Sequence, residues 1–346
     1  MKFLPFELNP RYSNGRNWGA RLCFCCICSL ALAGLSCPAT ASETPAETPT
    51  SPDGTSVVRF AFSKSMFKDL NEDDARAAMK AYAQAIADDN HIAVQNDPHI
   101  LDGTNGIAEA LRGNQFDMLS LTADEFVEME SQGLEGPLLV SRVDRSITEE
   151  YVLLVRAGSP FKRVEDLRGS HLILASDVRA SLVPLWLEVL CREHGLGSAS
   201  RVFASQTSAT KAALVILPVF FGKADVCIAT RKAWETMGEL NPQVTNQLCA
   251  IATSPLVVPG MSCFHRGIPA ALKQQLLTVA MASTEKPSFK QLMSLFKTED
   301  LEVQPISVLD GTRQLVSRYH ELCRPAARVT RAPNTPPSPV KEAAVK

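Results

Sequence analysis

Short β-branched or apolar runs alternate along the chain with stretches of helical periodicity. The runs predict strands over 57–62, 92–95, 117–121, 151–155, 172–175, 202–204, 226–229, 249–252 and 261–264. The helical stretches predict helices over 73–87, 106–111, 182–194, 209–220, 270–282, 289–296 and 312–322. Alternation of this kind predicts α/β architecture with mixed, mainly parallel sheets flanked by helices. Two segments, 109–121 and 219–229, also share a grammar. In each a helix stops at a glycine (Gly113, Gly222) suited to the left-handed C′ position, a polar turn follows, and an aspartate (Asp117, Asp225) opens a buried strand. Any α/β chain contains such turns, but their repetition about a hundred residues apart suggests two lobes of similar construction.

Outside this alternation lie three segments of different character. Lys2, Arg11, Arg16 and Arg21 precede the apolar run 22–35, and Ala39-Thr40-Ala41 follows, which is the n-region, h-region and cleavage site of a secretory signal over residues 1–41. The run is shorter than the roughly 18 residues needed to span a bilayer, so a cleaved signal is preferred to an anchor. Residues 42–55 read as a flexible leader and 323–346 as a Pro-rich tail, because neither shows periodicity or enough apolar positions to bury.

Composition then narrows the function classes. The chain is 45% hydrophobic with a formal net charge of −2, so no basic field draws nucleic acid. Cleavage at residue 41 removes four basic and one acidic residue, leaving 31 and 36 and a net charge of −5. Of ten cysteines, Cys23, Cys25, Cys26, Cys28 and Cys37 sit in the signal, where they act as small hydrophobes. Five remain; Cys249 and Cys263 lie on neighbouring predicted strands and are a candidate disulfide, with buried thiols the alternative. The six histidines show no paired ligand spacing, so neither metal nor cofactor is expected. The phosphate-loop, zincin, nucleophile-elbow and dinucleotide motifs are missing, which argues against an enzyme. Trp186 and Trp234, the tryptophans left after cleavage, are too few for a sugar-stacking platform.

The segment 159–174, with its Glu165-Asp-Leu-Arg-Gly169 phrase, resembles the opening of the second lobe in type 2 periplasmic solute-binding proteins. Taken with 151–157, 113–121, 222–229 and Ser254-Pro-Leu-Val-Val-Pro259, the chain is similar over about 56–322 to the phosphate, phosphite and phosphonate branch of ABC-transporter receptors. The resemblance implies two α/β lobes joined by two hinge strands, with crossovers near 144–150 and 253–260. Lobe one would comprise 56–145 and 258–322, and lobe two with its hinges 146–257. It further implies a periplasmic monomer that captures a small anionic solute and delivers it to an ABC permease in the inner membrane.

In that frame the cleft loops follow predicted strands. They supply Ser63, Lys64 and Ser65; Thr104 and Asn105; Ser120 and Thr122; Tyr151 at the first crossover; and Ser176, Asp177, Arg179 and Ser181. Hydroxyls, amides and a bidentate guanidinium suit an oxyanion. Relatives carry a Gly-Ser-x-Ser-Gly phrase at the last loop; here the glycines are lost and Val178-Arg179 stand instead, which restricts close backbone approach and leaves the phosphonate ligand open. Ser181 or Asp177 capping the next helix, with Arg179 solvated, is the competing reading. Asp225 suits an aminoalkyl group or simply opens its strand, and Arg231 is an anion candidate or a surface arginine. Three other roles stay open: input partner of a membrane sensor kinase, an enzyme of the thiamine-pyrimidine type on this fold, and a degenerate receptor serving as an interaction surface.

Overall fold

A computed structural model describes residues 57–68, 71–90, 92–283 and 286–324. The predicted signal and leader, and all but the first residues of the tail, lie outside the described residues. In chain order the first half supplies β1 (Phe60–Ser63), α1 (Glu72–Asn90), β2 (His99–Leu101), α2 (Gly103–Arg112), β3 (Met118–Thr122), α3 (Ala123–Met129) and β4 (Leu134–Arg142). The middle supplies β5 (Tyr151–Arg156), β6 (His171–Ala175), α4 (Val183–Glu193), β7 (Ser205–Ala209), α5 (Ala212–Phe220), β8 (Val226–Thr230), α6 (Arg231–Leu240), α7 (Pro242–Gln247) and β9 (Leu248–Thr253). The chain then continues through β10 (Gly260–His265), α8 (Ala270–Ala282), α9 (Pro287–Leu295), β11 (Asp300–Gln304) and α10 (Asp310–Cys323).

These strands form two mixed sheets, a six-stranded one in the order β11-β4-β10-β3-β1-β2 and a five-stranded one in the order β7-β6-β8-β5-β9. In each, the βα units pair in parallel (β2, β1, β3; β7, β6, β8), while the strands leading into and out of the crossovers pair antiparallel. The chain passes between sheets at 143–150 and again at 254–259, where Glu149 N donates to Val257 O (2.7 Å) and Val257 N to Glu149 O (2.9 Å).

The repeated aspartate has a shared physical role. Asp117 accepts from Arg59 N (2.8 Å) at the start of β1, the parallel neighbour of β3, and is clamped by the Arg59 side chain. Asp225 accepts from His171 N (2.8 Å) at the start of β6, the parallel neighbour of β8. Each carboxylate thus satisfies an orphan amide and sets the register of a parallel pair. The glycines differ. Gly222 takes φ +70°, as expected, whereas Gly113 has φ −81° and Asn114 adopts the left-handed conformation at φ 45°.

One apolar core runs through both sheets, joining Leu119, Phe126 and Leu138 to Leu153, Trp186 and Ile228. Helix α10 closes it from the side by packing on both α3 and α4. Polar contacts fasten it there, with Arg318 Nε 2.7 Å from Glu193 and Arg192 Nη1 donating to Leu322 O at 3.1 Å. The other face of the six-stranded sheet carries two separate clusters, one around Leu139, Phe264 and Leu276 and one around Phe67, Met79 and Phe289. The five cysteines beyond the signal are free thiols. The predicted Cys249–Cys263 pairing does not form, because β9 and β10 are consecutive in sequence but belong to different sheets.

Candidate functional site

The crossover 143–150 carries three carboxylates, and each is met by a cation from the five-stranded half. Glu149 pairs with Arg179, Glu150 with Arg231 and Asp144 with Lys232. The local chain explains the convergence. Asp177 N-caps a 3-10 turn (Val178–Ala180) by accepting from Ala180 N at 3.1 Å, which turns Arg179 back toward the crossover. Arg231 and Lys232 open α6 directly after Thr230, whose hydroxyl caps that helix by accepting from Ala233 N at 3.1 Å.

Arg179 sits where the two sheets and the crossover meet. Its Nη1 lies 3.4 Å from Ser141 Oγ on β4, and its carbonyl accepts from the Tyr151 hydroxyl at 3.0 Å. Glu149 and Tyr151 are buried, and burial pushes both the Glu149 carboxyl and the Tyr151 phenol above their ordinary ranges, outweighing the pull of Arg179 on the carboxylate. Asp144 is held low by its hydrogen bond with Lys232, and the same bond raises the lysine. Ser181 Oγ donates to Pro259 O at 2.9 Å, joining the α4 loop to the second crossover. Asp177 also faces Lys297 at 3.6 Å. Beside Arg179 lies a cavity of about 290 Å³ lined by Thr148, Glu149, Arg179, Thr230, Lys232 and Met237. No cluster that could hold a metal ion occurs among the described residues.

A second polar group forms at the ends of β1 and β3. Ser63 and Ser65 donate their hydroxyls to one oxygen of Glu125 (2.7 and 2.8 Å), and Thr122 donates its amide and hydroxyl to the other (3.1 and 3.0 Å). Glu125, only 6% exposed, therefore occupies donors that would suit an external oxyanion. Glu125 is not among the predicted cleft residues, although Thr122-Ala-Asp-Glu125 carries the S/T-x-x-E capping-box signature.

The remaining predicted residues are dispersed. Lys64 is exposed on the turn after β1. Thr104 and Asn105 lie in the first turn of α2, which starts three residues earlier than predicted. Ser120 points to the face of its sheet covered by α1, α8 and α9 and bonds Ser262 Oγ at 2.7 Å. Ser176 lines a separate cavity of about 290 Å³ with Lys68, Thr207 and Ser208. Asp225 lies at the start of β8, the opposite end from Arg231, and serves the strand-opening role described above. The structure thus brings Tyr151, Asp177, Arg179, Ser181 and Arg231 to the crossovers, and Ser63, Ser65 and Thr122 to Glu125.

Comparison with known proteins bears on this arrangement. The family model described as ABC transporter, phosphonate, periplasmic substrate-binding protein matches residues 65–305. No curated protein matches the chain. Among solved structures, a Xanthomonas citri protein bound to chloride ion aligns with a TM-score of 0.53 at 16% identity, covering 77% of this chain and 98% of its own. A binding protein component of an ABC phosphonate transporter from Pseudomonas aeruginosa aligns with a TM-score of 0.51 at 14% identity over 77% and 87% of the two chains. PhnD1 from Prochlorococcus marinus, in complex with methylphosphonate, gives a TM-score of 0.50 at 13% identity over 77% and 98%. These likenesses show the type 2 periplasmic-binding-protein architecture, and the match of the family model over most of the described residues shows more: the chain belongs to the periplasmic substrate-binding proteins of phosphonate ABC transporters.

Proposed function

We propose that the solute is a small phosphonate- or phosphate-like anion held at the crossovers, with Arg179 as its anchor. The observation that carries this reading is the position of Arg179, a guanidinium on the edge of a cavity, in reach of β4 through Ser141 and of the crossover through Glu149. Its fork geometry matches two oxygens of a tetrahedral anion. Lys232, Thr148 and Thr230 supply further donors around the same space. Glu149 is then the group the solute displaces. In the solute's absence it satisfies the arginine, and its raised pKa eases its neutralisation once an anion takes over the guanidinium. As a binding component the chain changes no covalent bond. Selectivity comes from donors fixed in a space that closure shields from water. We place the mature chain in the periplasm as a monomer working with an inner-membrane permease, with the segment 1–41 as its export signal.

Thermal-shift titration against methylphosphonate, aminoethylphosphonate, phosphate, phosphite, sulfate and small carboxylates tests the reading. Stabilisation that saturates with a tetrahedral phosphorus anion is expected. A response confined to carboxylates, or none across the panel, overturns it.

A further inference from the structure

The face of the six-stranded sheet that α1, α8 and α9 cover contains a chamber of about 120 Å³. It exists because the two central strands place small side chains there. Ser120 on β3 and Ser262 on β10 sit opposite each other, where large apolar residues would otherwise fill the space beneath α1, α8 and α9. Their hydroxyls bond each other at 2.7 Å, so the polar floor is satisfied internally and presents mostly carbon to the chamber. The two apolar clusters of this face remain separate, and the chamber's lining draws on both of them. Met66, Met79, Met118 and Met293 line it, and unbranched thioethers adapt to varied shapes. Phe62 and Phe296, also in the lining, stack with ring centroids 6.2 Å apart and an interplanar angle of 4°.

The chamber reaches the crossover region. Its lining includes Gly260, the first residue after the second crossover, and Ser141, whose hydroxyl lies 3.4 Å from Arg179 Nη1. Ser141, whose hydroxyl also bonds Thr298 Oγ1, is therefore the point where the chamber's wall meets the guanidinium proposed as the anion anchor.

We propose that this chamber is an apolar subsite that receives the hydrocarbon substituent of a phosphonate whose charged head lies beside Arg179. The inference rests on the phosphonate reading of the site and narrows it to alkyl or aryl phosphonates with a short apolar group. Size supports this: an engineered apolar cavity of about 150 Å³ stays dry and takes benzene, so about 120 Å³ suits a substituent of a few carbons.

Isothermal titration of the full chain with methyl-, ethyl-, propyl-, butyl- and phenylphosphonate tests it, together with the chamber-filling variants Ala280→Leu and Ala83→Leu on two different helices. Affinity should rise about fourfold per added methylene up to roughly butyl, the ratio that corresponds to about 0.8 kcal/mol per buried methylene. Either filling variant that folds should flatten this gradient. A flat series in the native protein, or an unchanged gradient in the filled variants, overturns the subsite while leaving the phosphonate reading intact. If no phosphonate binds, yet benzene raises the melting temperature of the native protein and not of Ala280→Leu, the anion reading fails and the chamber stands as an apolar site of its own.

Discussion

Replacing Glu125 by alanine isolates the chain's own occupancy of a cleft-like donor set. The carboxylate accepts four hydrogen bonds, from the Ser63, Ser65 and Thr122 hydroxyls and the Thr122 amide, at 2.7 to 3.1 Å. Hydrogen bonds to a charged acceptor contribute about 1.5–3 kcal/mol each. The freed hydroxyls can rotate toward water admitted by the truncation, so only part of that total is lost, whereas the Thr122 amide and the start of α3 lose their cap at about 1 kcal/mol. With roughly half of the hydroxyl contribution lost beside the cap, a net destabilisation of about 4 kcal/mol results. Urea unfolding followed by circular dichroism measures it, and a single transition is expected because one apolar core joins both sheets. The vacated site should also accept a replacement anion, so formate or phosphate should restore part of the lost stability in Glu125→Ala and add nothing comparable to the native protein. A loss below about 1 kcal/mol, or no anion rescue, refutes the reasoning that these donors form an oxyanion site held by Glu125.

Three further outcomes follow from other parts of the fold. Burial raises the Glu149 pKa in the folded state, so its proton is bound more tightly there than in the unfolded chain. The resulting contribution is fully present below the ordinary glutamate pKa and is lost as pH rises through the folded value. The native protein should therefore lose stability relative to Glu149→Gln across that window, and a pH-independent difference in urea midpoints contradicts the assignment. Gly311→Ala should destabilise by about 1–3 kcal/mol, since a Cβ there meets the Leu256 carbonyl oxygen at 2.6 Å. Helix propensity alone predicts a gain of about 1 kcal/mol, so the sign decides between backbone clash and propensity. Thiol labelling of the folded protein should reach Cys249 and Cys323 first. Cys191, pushed up to about 12 by burial, and the fully buried Cys227 and Cys263 should react only after unfolding.

Much of the fold is legible in the chain because it rests on local periodicity. The helix predicted over 270–282 coincides with α8, and strands β1, β3, β5, β6, β8, β9 and β10 fall within a few residues of their predicted positions. What was not legible has identifiable causes. Strand β4 contains Gly136-Pro137, which reads as a break, and β11 (DLEVQ) is a short, charged edge strand. Helices α3 and α6 begin immediately after a strand without a connecting loop, so Thr122 and Thr230 look like strand ends when they also cap helices. Strand 92–95 reduces to the isolated Val58–Val94 bridge, with β2 forming five residues later.

The site divides along similar lines. Arg179 and Ser181 were readable as polar residues in a loop after a strand, and they do converge on the crossovers. Their partners were not. Arg231 meets Glu150 across 81 residues and Arg179 meets Glu149 across 30, pairings that depend on which strands lie side by side, as where antiparallel β5 and β8 set Tyr151 opposite Thr230. For the same reason a list of donors could not reveal that the chain's own carboxylates already answer several of them.

Whether Arg179 anchors the solute is the claim on which the rest depends, and isothermal titration of methylphosphonate addresses it most directly. Arg179→Ala is combined with Glu149→Gln, so that no buried charge is left unpaired, and Glu149→Gln alone serves as the control. The control should bind at least as tightly as the native protein, because the carboxylate that competes for Arg179 is gone, and the double variant should lose at least about tenfold relative to the control, equivalent to about 1.4 kcal/mol. Equal affinity in the two variants would contradict the placement of the solute at the crossovers.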